Sequence, residues 1–234
     1  MPKDPPAFNP AFTTAAGVVK YPDASRRWAL ASTKTFKEGT HAKCFFVGRA
    51  PPRVGAAAVL QTGPEYTSKG SYSGNWSGNL RNGVGTQMYA DGSRYEGCWA
   101  LGKREGQGSL YVRRGAGLML DYTGSWEGGR KQGFGKQSYA NGDVYEGAFV
   151  NGARHGQGMQ VFADGAVYRG EWCDDKRHGM GELVLPSGDM YRGAWDADEK
   201  HGEGSYVFVA KGRVLHGEWV RGSAATGELR SHEG

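Results

Sequence analysis

The sequence predicts an all-β protein: an elongated single antiparallel sheet of tandem two-stranded hairpins, preceded by a largely irregular N-terminal arm. Three observations carry that expectation. A five-residue aromatic block recurs with steps of 23, 27, 23, 23, 23 and 24 residues. A Gly-x-Gly block follows each of the first six copies. Glycine makes up 40 of 234 residues, roughly twice a usual share of about 7%, and glycine is poor inside helices.

The arm comes first. Residues 1–65 hold eight of the nine prolines and five of the forty glycines. They carry nine Lys and Arg against four Asp and Glu, a net of +5, whereas residues 66–234 carry twenty of each. Asp23 is placed to cap a short helix near residues 24–32. The apolar run Cys44-Phe45-Phe46-Val47 suits either an added strand or docking on the repeats, and Arg49-Ala50-Pro51-Pro52-Arg53 reads as an extended linker. A Pro-rich, basic, weakly periodic segment buries little surface alone, so a solvated tail is the plain reading. Its aromatics favour an arm that docks or binds a partner, with Arg26, Arg27, Trp28, Phe45, Phe46, Arg49 and Arg53 as candidate contacts. An acidic partner suits the charge, although the charges are dispersed and screened beyond about 8 Å at physiological salt.

The repeat body spans residues 66–234. Its first block reads Tyr72, Gly74, Trp76; then Tyr95, Gly97, Trp99; then Tyr122, Gly124, Trp126; then Tyr145, Gly147, Phe149. Tyr168, Gly170, Trp172 and Tyr191, Gly193, Trp195 follow, and a worn copy with Leu215, Gly217 and Trp219 closes the series. The second block runs from Gly83-Val84-Gly85 to Gly202-Glu203-Gly204, with an apolar or aromatic residue such as Tyr89 or Phe162 four positions on. Asp91-Gly92, Asn141-Gly142, Asp164-Gly165 and Ser187-Gly188 then signal turns; Asp-Gly and Asn-Gly are strong hairpin signals because both residues accept positive φ. Side chains alternate faces along a strand. The Tyr, Gly and Trp of the first block therefore share one face, and glycines leave room for the rings. Each unit is two short strands and two turns. One hairpin is at best marginal in water, and stacking hairpins buries a shared core. The rings are accordingly expected in the core rather than on a ligand. At about 4.8 Å per strand the repeats extend to roughly 65 Å, with open edge strands.

These two blocks, held in register through seven copies between Tyr72 and Leu229, closely resemble the MORN family. The resemblance implies a twisted antiparallel sheet with a shallow groove. Phe149 departs from the pattern in place of Trp. Leu215 departs in place of Tyr, in a last copy without a clear Gly-x-Gly, which reads as half a unit or a cap.

The motifs that carry chemistry fail on context. Gly97-Cys98-Trp99-Ala100-Leu101-Gly102-Lys103 imitates a P-loop, but Arg104 stands where Ser or Thr must hold Mg²⁺, and no helix follows. The Gly-x-Gly pairs lack the strand-to-helix setting of a dinucleotide site. His155, His178 and His201 share one repeat position, but copies about 10 Å apart cannot share an ion with bonds of about 2.0 Å. Cys98 and Cys173 lie three repeats apart, too far for a disulfide, and the sequence pairs neither with a histidine. Acidic residues scatter over turns as a solvated surface. No catalytic, cofactor or metal site is expected. The start Met1-Pro2-Lys3-Asp4 shows no apolar signal core, no run of about 18 apolar residues appears, and the Asn75-Trp76-Ser77 sequon has meaning only after secretion.

The resemblance points to a non-catalytic scaffold of a cytoskeletal assembly, such as a radial-spoke-like component of a ciliary or flagellar axoneme. Expected partners are tubulin or axonemal proteins, with homodimerisation through ribbon ends or edges and no nucleic acid. Two alternatives stand beside it. One is a membrane or phosphoinositide tether, weakened by the lack of a dense polybasic cluster. The other is an adaptor subunit, since relatives carry a lipid kinase or lysine methyltransferase domain for which 65 residues leave no room.

Overall fold

The computed structural model describes residues 39–49 and 66–231. These residues form fifteen β-strands and no α-helix, and the chain divides into two compact units. The first unit holds β1 (Gly39–Arg49), β2 (Tyr66–Ser77), β3 (Leu80–Tyr89) and β4 (Arg94–Ala100), each antiparallel to the next. Strands β5 (Lys103–Arg114) and β6 (Gly117–Glu127) are divided between the units. The second unit continues through β7 (Arg130–Ser138), β8 (Val144–Val150), β9 (Ala153–Val161), β10 (Val167–Cys173) and β11 (Lys176–Val184). It ends with β12 (Met190–Asp196), β13 (Glu199–Phe208), β14 (Arg213–Val220) and β15 (Ser223–Ser231). From β6 to β15 every strand pairs antiparallel with its successor.

The apolar run Cys44–Val47 belongs to β1, where Phe45 stands opposite Ser71, Phe46 opposite Gly70 and Arg49 opposite Tyr66. The helix expected near residues 24–32 and the candidate contacts Arg26, Arg27, Trp28 and Arg53 lie outside the described residues.

In each unit a row of glycines sits opposite glycines. In the first unit Gly85 faces both Gly74 and Gly97. In the second the row runs Gly124, Gly135, Gly147, Gly158, Gly170, Gly181, Gly193, Gly204, Gly217 and Gly227. The row makes a trough, and the tyrosine rings lie in it. A Cβ on Gly85 would stand 2.1 Å from the Tyr72 hydroxyl, and one on Gly181 would stand 2.3 Å from that of Tyr168. The six block tyrosines are fully buried. Each donates its hydroxyl proton to the carbonyl three residues on, as Tyr168 does to Glu171 at 3.0 Å and Tyr191 to Ala194 at 2.9 Å. The polar end of a buried ring is thus satisfied inside its own strand.

Tryptophans close the packing. Tyr72 meets Trp76 at 5.1 Å and Trp99 at 5.5 Å between ring centroids, both edge-to-face. In the second unit Tyr122, Phe149, Tyr145, Trp172, Tyr168, Trp195, Tyr191 and Trp219 follow one another in edge-to-face contacts of 5.1–5.3 Å. Each such pair is worth about 0.5–1.5 kcal/mol beyond its area. The indole N–H of Trp99 donates to the Gly85 carbonyl, Trp172 to Gly158 and Trp195 to Gly181 at 3.2–3.4 Å. Within each unit these contacts bind one hairpin to the next.

Two turn types alternate, and the sequence reading recognised one. After the Trp, two residues of positive φ make a tight type I′ hairpin. Asn151–Gly152 shows φ of 53° and 96°, Asp174–Asp175 shows 48° and 67°, and Ala197–Asp198 shows 49° and 75°. At the Asp-Gly and Asn-Gly turns, by contrast, only the glycine has positive φ, for example Gly92 at 82°. This corrects the expectation that both residues would adopt it. The first residue acts through its side chain: Asp91 accepts from the Ser93 N–H at 2.8 Å, and Asp164 from the Ala166 N–H at 2.9 Å, the Asx geometry. The worn seventh copy is a complete hairpin, since β15 places Gly227 opposite Gly217 and Leu215 fills the tyrosine's place against Gly227.

Candidate interaction face

The ring-bearing face carries a feature that the sequence reading missed. Two positions before each Gly-x-Gly stands a cation: Arg81, Arg104, Lys131, Arg154, Arg177 and Lys200. Its strand alternation puts it on the same face as the rings. In the first unit the Arg81 guanidinium lies 4.1 Å over Trp99, and Arg104 lies 5.7 Å from Tyr95. In the second, Arg154 lies 4.1 Å over Trp172, Arg177 4.3 Å over Trp195, and Lys200 4.8 Å from Trp219. Lys131 sits 5.0 Å from Tyr122 and 5.9 Å from Phe149. Cation–π contacts of this kind are worth about 0.5–2 kcal/mol, more as water is excluded. Burial lowers the proton affinity of Arg81, and burial with the nearby Arg177 lowers that of Lys200.

Most of these cations are already engaged. Arg154 pairs with Asp175 at 3.1 Å, and Arg177 with Asp198 at 3.0 Å. Each aspartate also accepts the N–H of the same arginine at 3.0 Å. Arg81 donates to the Gly102 carbonyl at 2.6 Å and to the buried Gln87 side chain at 2.9 Å. Lys131 and Arg154 donate likewise to Gln137 and Gln160. The acidic turn residues are thus not merely solvated, as the sequence reading had them. Asp143 and Asp189 also join neighbouring repeats, accepting at 2.9 Å from the N–H groups of Ala163 and Val209.

Burial pushes Tyr122 and Tyr191 up to about 12 and raises Tyr145 and Tyr168 further. These phenols stay neutral and structural, as core packing requires. The opposite face is open. It presents Phe134 and Met180, the middle residues of two Gly-x-Gly blocks, as exposed apolar side chains, amid the ion pairs Lys136–Glu146 at 3.6 Å and Arg192–Glu182. Every residue of β15 is exposed.

Of the sequence candidates for partner contact, Phe45, Phe46 and Arg49 lie on β1. The remainder lie outside the described residues. The repeat-defining residues do come together, as the core. A period of 23 in Lys and Arg, two positions ahead of Gly-x-Gly, was the sequence signal that would have revealed the cation row.

The MORN repeat family matches residues 72–94, 95–112, 122–144, 145–167, 168–190 and 191–213, more than half of the chain. This chain belongs to the MORN-repeat family. MORN repeats are generally non-catalytic and serve as protein-interaction or membrane-binding scaffolds. No curated protein matches the chain. A solved structure titled "Streptogramin B lyase structure" aligns over 69% of this chain and 64% of that one, at 9% identity and a TM-score of 0.17. That likeness carries no argument about the MORN array.

Proposed function

We propose that this MORN protein is a non-catalytic scaffold of a cytoskeletal assembly, of the kind found in a ciliary or flagellar axoneme. The carrying observation is how the conspicuous residues are used. The rings, the buried phenols and most of the face cations are consumed in joining one hairpin to the next. That construction favours a mechanical spacer that presents edges and an open face to other proteins. The basic arm offers a contact for an acidic protein surface such as a tubulin tail. A second copy of the chain is a further partner through the exposed β15 edge, because unpaired strand edges accept another strand.

The membrane-tether reading is weaker on the same ground. A phosphate would have to displace Asp175 from Arg154 and Asp198 from Arg177, which forfeits bonds already made.

The test is detergent extraction of cells expressing the tagged full chain beside a form lacking residues 1–38. That deletion removes most of the basic arm and spares β1. Retention of the full chain on the insoluble cytoskeleton, reduced by the deletion, is the expected result. Complete release of both forms by detergent overturns the proposal and favours the membrane reading, which co-sedimentation with anionic vesicles then checks.

A further inference from the structure

The β9–β10 hairpin brings His155 together with Cys173 and Asp174, which follow it by 18 and 19 positions in the chain. In its register Trp172 stands opposite Gly156. Cys173 and His155 are the next residues along the two strands. The next residue, Asp174, opens the tight turn between β10 and β11 and has a positive φ of 48°. One donor atom from each of His155, Cys173 and Asp174 lies within 4.8 Å of the other two. The thiol is free. The sequence reading paired no histidine with Cys173, because the pairing runs across the hairpin and not between equivalent positions of successive repeats.

A second observation sharpens the first. His155 Nδ1 is buried and has no hydrogen-bond partner, with an Asp174 oxygen 4.0 Å away, beyond hydrogen-bond reach. A buried imidazole nitrogen is expected to be paired. Here a carboxylate and a thiol lie near the same imidazole. Such a spacing suits an ion that binds all three.

We propose that His155, Cys173 and Asp174 form a binding site for one divalent transition-metal ion of the zinc class. Imidazole and thiolate together select such ions over Mg²⁺ and Ca²⁺. Tetrahedral bonds of about 2.0–2.3 Å place donors roughly 3.5 Å apart, so closure by about an ångström completes the set. Asp174 supplies that movement, since its side chain is 89% exposed. Binding converts the thiol to thiolate and releases its proton to solvent. Water takes the fourth position. The ion would clamp the end of the β9–β10 hairpin.

The next repeat is an internal control. His178 keeps its place, with Nδ1 3.4 Å from Asp196, the residue in the position of Cys173. Ala197 replaces Asp174. Two ligands remain, without the thiol.

The test is titration of the purified full chain with Co²⁺, followed by competition with Zn²⁺. The expected result is a near-ultraviolet thiolate-to-cobalt charge-transfer band that saturates at one ion per chain. It should disappear in Cys173→Ser and persist in Cys98→Ser. Affinity should fall by more than about tenfold in His155→Gln, because even partners beyond the ligand shell are worth that much. Circular dichroism of each variant verifies that the sheet is intact, as expected for substitutions at a hairpin end. The double substitution Asp196→Cys with Ala197→Asp should build a second site and raise the stoichiometry to two. Absence of the band in the native chain, or a band undiminished in Cys173→Ser, overturns the proposal.

Discussion

At the residue scale, the decisive position is the second glycine of each Gly-x-Gly. It is needed for close approach, since its backbone is the surface against which a tyrosine ring lies. The first glycine is needed for backbone conformation. Gly83 has φ of 71° and lies in an irregularity between the β2 and β3 registers, which is how a β-bulge uses glycine. Gly181→Ala would place a methyl 2.3 Å from the Tyr168 hydroxyl. It should destabilise the protein by at least about 2 kcal/mol, by over-packing. Gly117→Ala, where nothing lies within 4 Å, should stay within about 0.5 kcal/mol of the parent. Urea denaturation of the two variants side by side measures the difference, and equal midpoints would contradict the trough. The glycine pattern was fully legible in the sequence. The cation row was also present there, at a fixed repeat position, but its meaning depends on rings in neighbouring strands.

At the scale of the element, the hairpin is a unit that cannot satisfy itself. The Tyr145 ring needs Phe149 from its own hairpin and Trp172 from the next. This explains why Phe149 is tolerated where other copies have Trp: it preserves both edge contacts, at 5.2 Å to Tyr122 and 5.2 Å to Tyr145. It forgoes only the indole hydrogen bond. Trp172→Phe should therefore cost about 1 kcal/mol, the usual net worth of one hydrogen bond. Trp172→Ala removes two ring contacts and the surface under Arg154, and should cost about 3–5 kcal/mol. Thermal unfolding distinguishes the two, and a Phe variant as damaged as the Ala variant would refute the account. The turns show what was less legible. Ala197 and Arg221 have φ of 49° and 47°, although neither residue type marks a type I′ turn. Here the strand pairing on either side imposes the turn, against local preference.

At the scale of the whole molecule, the buried tyrosines make stability depend on alkaline pH. Tyr122 and Tyr191 are raised from 10.0 to about 12 by burial. Below pH 10 both states keep the phenol protonated and the folded state retains its full stability. Between pH 10 and about 12 the unfolded chain ionises and the folded one does not, so the unfolded chain binds fewer protons and stability falls as pH rises. The urea midpoint should therefore decline steadily over that interval. Tyr191→Phe should be less stable at neutral pH and decline less steeply above pH 10. A midpoint independent of pH between 10 and 12 would show that the rings are not buried in solution.

The sequence by itself determined the repeat, its period, the paired strands and the face that holds the rings, because a strand alternates its sides and a tandem unit must bury itself against its neighbour. It also determined where glycine is obligatory. Only the tertiary structure decided the edge-to-face ring contacts, the cations stacked on tryptophans, the addition of β1 to β2, and the meeting of His155 with Cys173. Each of these depends on which side chains the folded strands set beside one another, and a periodic pattern specifies that a strand pairs without specifying the neighbours that a bulge or a turn sets beside each side chain.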